Sequence, residues 1–276
     1  MAKQFATTGS STNSARFTGP SLKQRLRSGQ VLVGGIVTEY LRPSIFKIYA
    51  EAGFDFAFIE NEHGWFDPAM FTASVLAARD AGLPLIAKTP QLERGDVAKL
   101  LDSGVLGIQL PRTESRLEVE TLHSYLKYVP VGTRAIAPGL GNTGYRLPPD
   151  WQAWMNEQND ETTLVVHIET RAGYDRAEEI ISTPGVDMVY VGPGDFSIAM
   201  GHPGKYEHPE VLEGIEHILK ICQRHQVAFG TTAADSASAQ RWISKGARFF
   251  EAADELSFIS AGATDLVQKY RTMEVR

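Results

Sequence analysis

From about residue 21 onward the chain alternates short apolar runs with longer stretches of helical period. Runs 31–37, 54–59, 85–88, 107–110, 164–168, 188–191, 227–231 and 248–251 read as strands. Several are apolar throughout, as strands buried on both faces of a parallel sheet are. Between them lie helix-period stretches such as PAMFTASVLAARDAG, VAKLLDSG, ESRLEVETLHSYLKYV, DRAEEIIST, PEVLEGIEHILKICQRH and SASAQRWISKG. Many finish at Gly or Pro, which stop helices for different reasons. A short leading helix, SLKQRLRSG, has Ser21 as its cap and Gly29 as its stop.

Eight such strands, each followed by a helical stretch, favour an α/β fold of one kind, a single-domain TIM (β/α)8 barrel, which typically needs about 250 residues. No Gly-x-Gly-x-x-Gly follows the first strand, and no shift of composition marks a second domain. Residues 1–20 read as a tail and 21–276 as the barrel domain. One long interruption, 131–158, is rich in Gly, Pro and Trp and separates strands four and five. Its length suits a lid or a subunit contact.

Composition narrows the function. The 276 residues are 43% hydrophobic and 22% charged, with a formal charge of −6. An acidic balance argues against nucleic acid or an anionic membrane as partner and leaves a small-molecule enzyme as the simpler expectation. The single cysteine, Cys222, excludes an internal disulfide and any multi-cysteine metal site, which suits a reducing cytoplasm. No run approaches the roughly 18 apolar residues of a membrane span. The tail has no acidic residue before Glu39 and is rich in Ser and Thr. It reads either as an organellar transit peptide or as a disordered segment.

In such a barrel the reacting groups sit at the carboxyl ends of the strands. That rule selects Glu60, Asn61, Glu62 and His63 after strand two, Lys88 ending strand three, Gln109 in strand four, His167 and Glu169 around the end of strand five, Asp195 in the Gly-Pro-Gly-Asp turn with Gly194, and Thr231 to Thr232 after strand seven. Glu169 and Asp195 would follow neighbouring strands, the arrangement that holds a divalent ion with water and substrate completing its shell. The alternative is that Glu169 pairs with Arg171 and Asp195 caps a helix starting at Phe196. His167 shares a face with Glu169 and reads as a third ligand, a donor to a bound oxo group, or a core histidine. His63 reads as a base oriented by Glu60, Glu62 and Asp102, or as part of an exposed turn. Lys88 can form a Schiff base or offer a charge to a carboxylate. Arg112 and Arg134 are the other candidate cations for that carboxylate. His123, His202, His208, His217 and His225 fall on helices or loops and read as surface or cap residues.

The segment VVHIETRAGYDRAEEIISTPGVDMVYVGPGDFSIAMGHPG, followed by HPEV, resembles the HpcH/HpaI family of metal-dependent, class II pyruvate aldolases. GFDFAFIENEHGWFD, KLLDSG and KYVPVGTRA support the likeness. The resemblance implies a TIM barrel assembled as a homo-oligomer, a hexamer or trimer, and a divalent cofactor, Mg²⁺, Mn²⁺ or Co²⁺, chelated by a small-molecule 2-oxo acid. It implies Glu169 and Asp195 as metal ligands and His63 with Asp102 as an acid-base dyad. Three positions depart from the family pattern: Lys88 stands where an arginine grips the keto acid, His167 where a glutamine precedes the metal glutamate, and Glu60 where an aspartate opens the turn. Lysine lacks the planar fork of arginine, so the first change is not conservative.

The implied reaction cleaves or forms the C3–C4 bond of a 4-hydroxy-2-oxo acid, giving pyruvate and an aldehyde. Oxaloacetate decarboxylation, or a biosynthetic carbon-carbon bond formation, would use the same enolate. A Schiff-base aldolase through Lys88 and an oxo-acid binder without turnover are the other readings.

Overall fold

The structure, a computed structural model, describes residues 20–273. The two readings of the tail therefore lie outside the described residues. In chain order the elements are α1 (Leu22–Arg27), β1 (Leu32–Val37), α2 (Pro43–Ala52), β2 (Phe56–Ile59), α3 (Pro68–Asp80), β3 (Leu85–Lys88), α4 (Arg94–Ser103), β4 (Gly107–Leu110) and α5 (Arg116–Leu126). After a 3-10 turn at Gly141–Thr143 come α6 (Trp151–Glu161), β5 (Thr163–His167), α7 (Arg171–Asp175), α8 (Ala177–Ile181), β6 (Met188–Val191), α9 (Pro193–Ala199), α10 (Pro209–His225), β7 (Ala228–Thr231), α11 (Ser236–Lys245), β8 (Phe249–Asp254) and α12 (Glu255–Arg271). Each strand pairs in parallel with the next, and β8 closes on β1. The chain is a TIM barrel.

The doubly buried strands split their side chains between two cores. Phe56, Phe58, Ile86, Val165, Met188, Tyr190 and Phe249 point into the bore. Ala57, Ile59, Leu85, Ala87, Leu164, Val166, Val189 and Val191 face the surrounding helices. Alternation along each strand produces this sorting. The rings of Phe56 and Phe249 stack with centroids 4.7 Å apart. They fit because Gly34 and Gly230 lie against them, where a Cβ would collide with the Phe56 and Phe249 rings respectively.

Several elements differ from the expectation. The β5 ladder runs over Thr163–His167, so Ile168 and Glu169 lie beyond it. β8 runs on to Asp254, with a register shift that opposes Gly34 to Glu251 and Gly35 to Ala253. DRAEEIIST is broken at Arg176 into two short helices. The Gly- and Pro-rich interruption contains α6, capped by Asp150. Periodicity does not single out α2, although Pro43 starts it and Gly53 ends it in the left-handed conformation. At the mouth, the buried carboxylate of Glu255 accepts hydrogen bonds from the backbone N–H groups of Thr38, Glu39 and Tyr40, tying the loop after β1 to the start of α12. Beyond Glu255, no residue of α12 is buried. Among the described residues no helix is long and apolar enough to cross a membrane.

Candidate active site

The carboxyl ends of β2 to β6, with β8, place a cluster of ionisable groups around the mouth of the bore. Glu169, 4% exposed, sits one residue past Ile168. Its Oε1 accepts the Arg112 backbone N–H at 2.7 Å. Arg112 thus contributes its backbone, and it does so from a left-handed φ of 48° that a non-glycine residue seldom adopts. Arg171 does not pair with Glu169, because its guanidinium binds Asp175 one turn along α7. Burial pushes the Glu169 carboxyl up to about 7, against the opposing pull of Lys88 and the Arg112 N–H, while Asp195 and Glu62 add to the rise.

Asp195 does not cap a helix beginning at Phe196. Gly192 holds the cap position of α9, and Asp195 with Gly194 lies in the first helical turn. Its carboxylate is therefore released from capping and close enough to act on Glu169.

His167 is 4% exposed and inward-facing, with its ring edge-on to Tyr190 at 4.9 Å. Its Nε2 lies 3.2 Å from Glu169 Oε2 and 3.2 Å from the Gly192 N–H. One nitrogen serves only one of these as a hydrogen bond: protonated it donates to Glu169, unprotonated it accepts from Gly192. Nδ1 is buried without a partner. Burial first, and the Lys88 charge second, hold the imidazole neutral well below its usual range.

Lys88 Nζ lies 2.8 Å from Glu60 and 3.1 Å from Glu62. Burial alone would lower its pKa, yet Glu60, then Glu169 and Glu62, outweigh it and hold the side chain as an ammonium. Glu60 also accepts the backbone N–H of Glu62 at 3.1 Å, which shapes the turn carrying His63. Here Lys88, Glu60 and Glu62 come together as one unit.

His63 and Asp102 do not. The His63 side chain is 73% exposed and reaches only Glu62, at 3.7 Å. Asp102 accepts from Asn142 Nδ2 at 3.1 Å and lies 3.6 Å from the Arg134 guanidinium. No ion pair joins His63 to Asp102 among the described residues. Arg134, expected at the substrate carboxylate, is a buried partner of Asp102 whose side chain is 2% exposed and lies over the Tyr128 ring. Asp102 also lines a cavity of about 470 Å³ bounded by α3, α4 and Leu140, Gly141 and Tyr145.

Glu251, the last residue of the eighth run, was not singled out from the sequence, whereas Gln109 and Thr232, which bond to it, were. Glu251, 2% exposed, points into the bore and accepts from Gln109 Nε2 at 2.7 Å. Tyr190 and Thr232 share a hydrogen bond of 2.6 Å beside it. The signal was present in the sequence, since an acidic residue inside an apolar strand has few innocent explanations.

The donor set suits a divalent ion. Glu169 and Asp195 supply hard oxygen, and the nearest ring nitrogen is neutral and electron-rich. Within 4.0 Å of Glu169 the described residues place His167 as its only ion-pair partner. Glu60, Glu62 and His63 also present ligand atoms within 4.8 Å of one another. There, however, the Lys88 ammonium already supplies the positive charge.

Comparison with known proteins identifies the family and the fold. The profile of the HpcH/HpaI aldolase/citrate lyase family matches residues 39–267. A hydroxypyruvate/pyruvate aldolase of Roseovarius nubinhibens is 30% identical over 253 residues, covering 91% of this chain and 97% of that protein. A 5-keto-4-deoxy-D-glucarate aldolase of Salmonella arizonae is 28% identical over 249 residues, covering 90% and 96%. The crystal structure of an HpcH/HpaI aldolase from Desulfitobacterium hafniense superimposes with a TM-score of 0.87 at 29% identity, covering 92% of this chain and 98% of that one.

Proposed function

The chain belongs to the HpcH/HpaI aldolase/citrate lyase family, and from that premise we propose that it is a divalent-metal-dependent carbon-carbon lyase, cleaving or forming the C3–C4 bond of a 4-hydroxy-2-oxo acid. The observation that carries the reading is the pair Glu169 and Asp195 beyond adjacent strands β5 and β6, beside an ammonium already fixed at the mouth. The two carboxylates would hold the ion, which when bound supplies Lewis-acid polarisation of the 2-oxo group. Lys88 offers its charge to the substrate carboxylate, and Glu60 and Glu62 orient it. His63 takes the C4 hydroxyl proton, directly or through water. The C3–C4 bond then breaks, its electron pair passes to C3 as the pyruvate enolate, C4 leaves as the aldehyde, and a proton delivered to C3 completes pyruvate.

Asp102 is proposed as the partner of His63 but is not in contact with it within one chain. That separation favours a second reaction, oxaloacetate decarboxylation, which reaches the same enolate without removing a hydroxyl proton; carbon-carbon bond formation runs the first reaction in reverse. A Schiff base through Lys88 is disfavoured, since two carboxylates hold its amine protonated. We also propose a homo-oligomer. Phe258, Ile259, Leu266 and Val267 of α12 are between 41% and 55% exposed, and apolar area of this kind is normally covered by another chain.

The test is pyruvate release from a 4-hydroxy-2-oxo acid, and from oxaloacetate, by chelator-treated protein with and without added Mg²⁺, Mn²⁺ or Co²⁺. Chelation should abolish release and the ions restore it. Release that survives chelation, with borohydride trapping of substrate on Lys88, would overturn the metal reading. Oxo-acid binding with no product from either substrate would leave only a binder.

A further inference from the structure

Glu251 and Gln109 meet across the bore. In a closed barrel of eight strands β4 and β8 stand opposite one another, so the 2.7 Å bond from Gln109 Nε2 to Glu251 Oε1 spans the interior, with Gln109 in register with Lys88 of β3. Glu251 takes part in no ion pair among the described residues, and such a burial is costly for a carboxylate. The neighbouring hydroxyls decide its state. Thr232 Oγ1 donates its one hydrogen to the Glu251 backbone carbonyl at 2.9 Å. In the 2.6 Å contact between Thr232 and Tyr190, therefore, the Tyr190 hydroxyl is the donor. The Tyr190 hydroxyl, its one hydrogen spent on Thr232, has none left for the Glu251 carboxyl. A carboxylate there would have the Gln109 amide as its donor and no ion pair among the described residues, whereas a carboxylic acid needs no counter-charge.

We propose that Glu251 is a positioning residue that works as a neutral carboxylic acid, accepting from Gln109, so that no fifth negative charge lies beside the oxo-acid site. The last clause rests on the function proposed above. The mouth already carries Glu60, Glu62, Glu169 and Asp195 against one lysine. Ionisation of Glu251 would add a charge that repels the anionic substrate and competes for Lys88. The groups facing Glu251 are Lys88 from β3, Glu60 from the turn after β2, and Tyr190 from β6. The flanking strands β1 and β7, and β4 opposite, contain no titratable residue. On the far side of Tyr190 lie neutral His167 and the charge of Glu169. Burial raises the Glu251 carboxyl to about 8, with Lys88 and Gln109 opposing the rise and Glu60 adding to it.

The experiment is infrared difference spectroscopy of the full chain, wild type against Glu251→Gln, with oxalate affinity in the presence of Mn²⁺ measured alongside. The amide keeps an oxygen to accept from Gln109 and cannot ionise. At about pH 7 the wild type should show the carbonyl stretch of a protonated carboxylic acid, absent from the variant and fading as the pH passes about 8. Oxalate affinity should match within about threefold at pH 7. It should then weaken about tenfold by pH 9 in the wild type alone, one proton being linked to binding. Absence of the carbonyl band at pH 7 overturns the neutral acid, and the wild-type spectrum decides this even if the variant does not fold. An identical alkaline loss in Glu251→Gln overturns the link to substrate binding. Failure of both proteins to bind oxalate at any pH counts against the proposed function, and the band still decides the state of Glu251.

Discussion

The two ends of the barrel use charge in opposite ways. At the amino-terminal end, charged side chains terminate on the backbone. Asp55 accepts the Val33 N–H at 2.8 Å and pairs with Arg25. Asp187 accepts the Leu164 N–H at 2.9 Å and lies 3.4 Å from Lys23. Lys127 donates to the carbonyls of Asn159 and Thr162, each at 2.6 Å. These residues close strand ends and helix ends, and each leaves little unspent. At the carboxyl end the charges meet one another: Lys88 faces two glutamates, Glu169 feels the like charge of Asp195, and His167 keeps a buried nitrogen without a partner. Charge that satisfies backbone groups contributes stability, and charge held against like charge is available to a ligand.

The largest effect that tests this contrast is expected from Glu169→Gln and Asp195→Asn. Each should cut Mn²⁺ affinity, read by electron paramagnetic resonance, and lower turnover about a thousandfold or more. Melting temperature should hold or rise, because like charges are relieved. Retained metal affinity in both variants would break the assignment of the carboxyl end. The converse change, Asp187→Ala, leaves the buried Leu164 N–H without its acceptor and Lys23 without its carboxylate. It should cost about 1–3 kcal/mol in denaturant unfolding and leave turnover per folded molecule unchanged. A turnover loss as large as that of Glu169→Gln would erase the distinction between the two ends.

A pH-dependent test sharpens the same contrast. Lys127 is pulled down to about 7, by burial first and by the Lys23 charge second. Between that value and its ordinary pKa of about 10.5, the unfolded chain binds the proton and the folded chain does not. Stability should therefore rise with pH across that window and be lowest below it. Lys127→Met should flatten the rise in a series of urea titrations, and a slope unchanged by the substitution would place the titration elsewhere.

How far this division was legible in the sequence depends on the distance between partners. Runs 85–88, 107–110 and 188–191 and the helix Pro209–His225 coincide with their elements because double-sided burial and a strong apolar stripe leave local alternatives few. Lys88, Glu169 and His167 were readable from position alone, at the ends of strands. Glu251 was not. Its partner Gln109 is 142 residues away, and only barrel closure reveals that β4 and β8 face each other. Arg134 was misplaced for a related reason: nothing local shows that its guanidinium is buried against Asp102. The exposure of α12 was equally hidden, since an amphipathic pattern says that a face needs cover without saying whose.

The smallest expected effect concerns His167, whose Nε2 stands between Glu169 and the Gly192 N–H. If Nε2 is spent on the Gly192 N–H, or donates to Glu169, it is second to the metal and only orients a ligand. If a bound ion draws it away from both, it becomes a nitrogen ligand and favours Mn²⁺ or Co²⁺ over Mg²⁺. His167→Gln keeps an amide able to reach Glu169 but removes the imidazole. The ligand role then predicts that the ratio of Mn²⁺ to Mg²⁺ affinity falls by about threefold to tenfold, with turnover in saturating metal little changed. The orienting role predicts instead that affinity for both ions weakens together, as loss of a second-sphere partner does. Competition titrations of the two ions in wild type and variant separate the outcomes, and a ratio and affinities both unmoved would return His167 to the core.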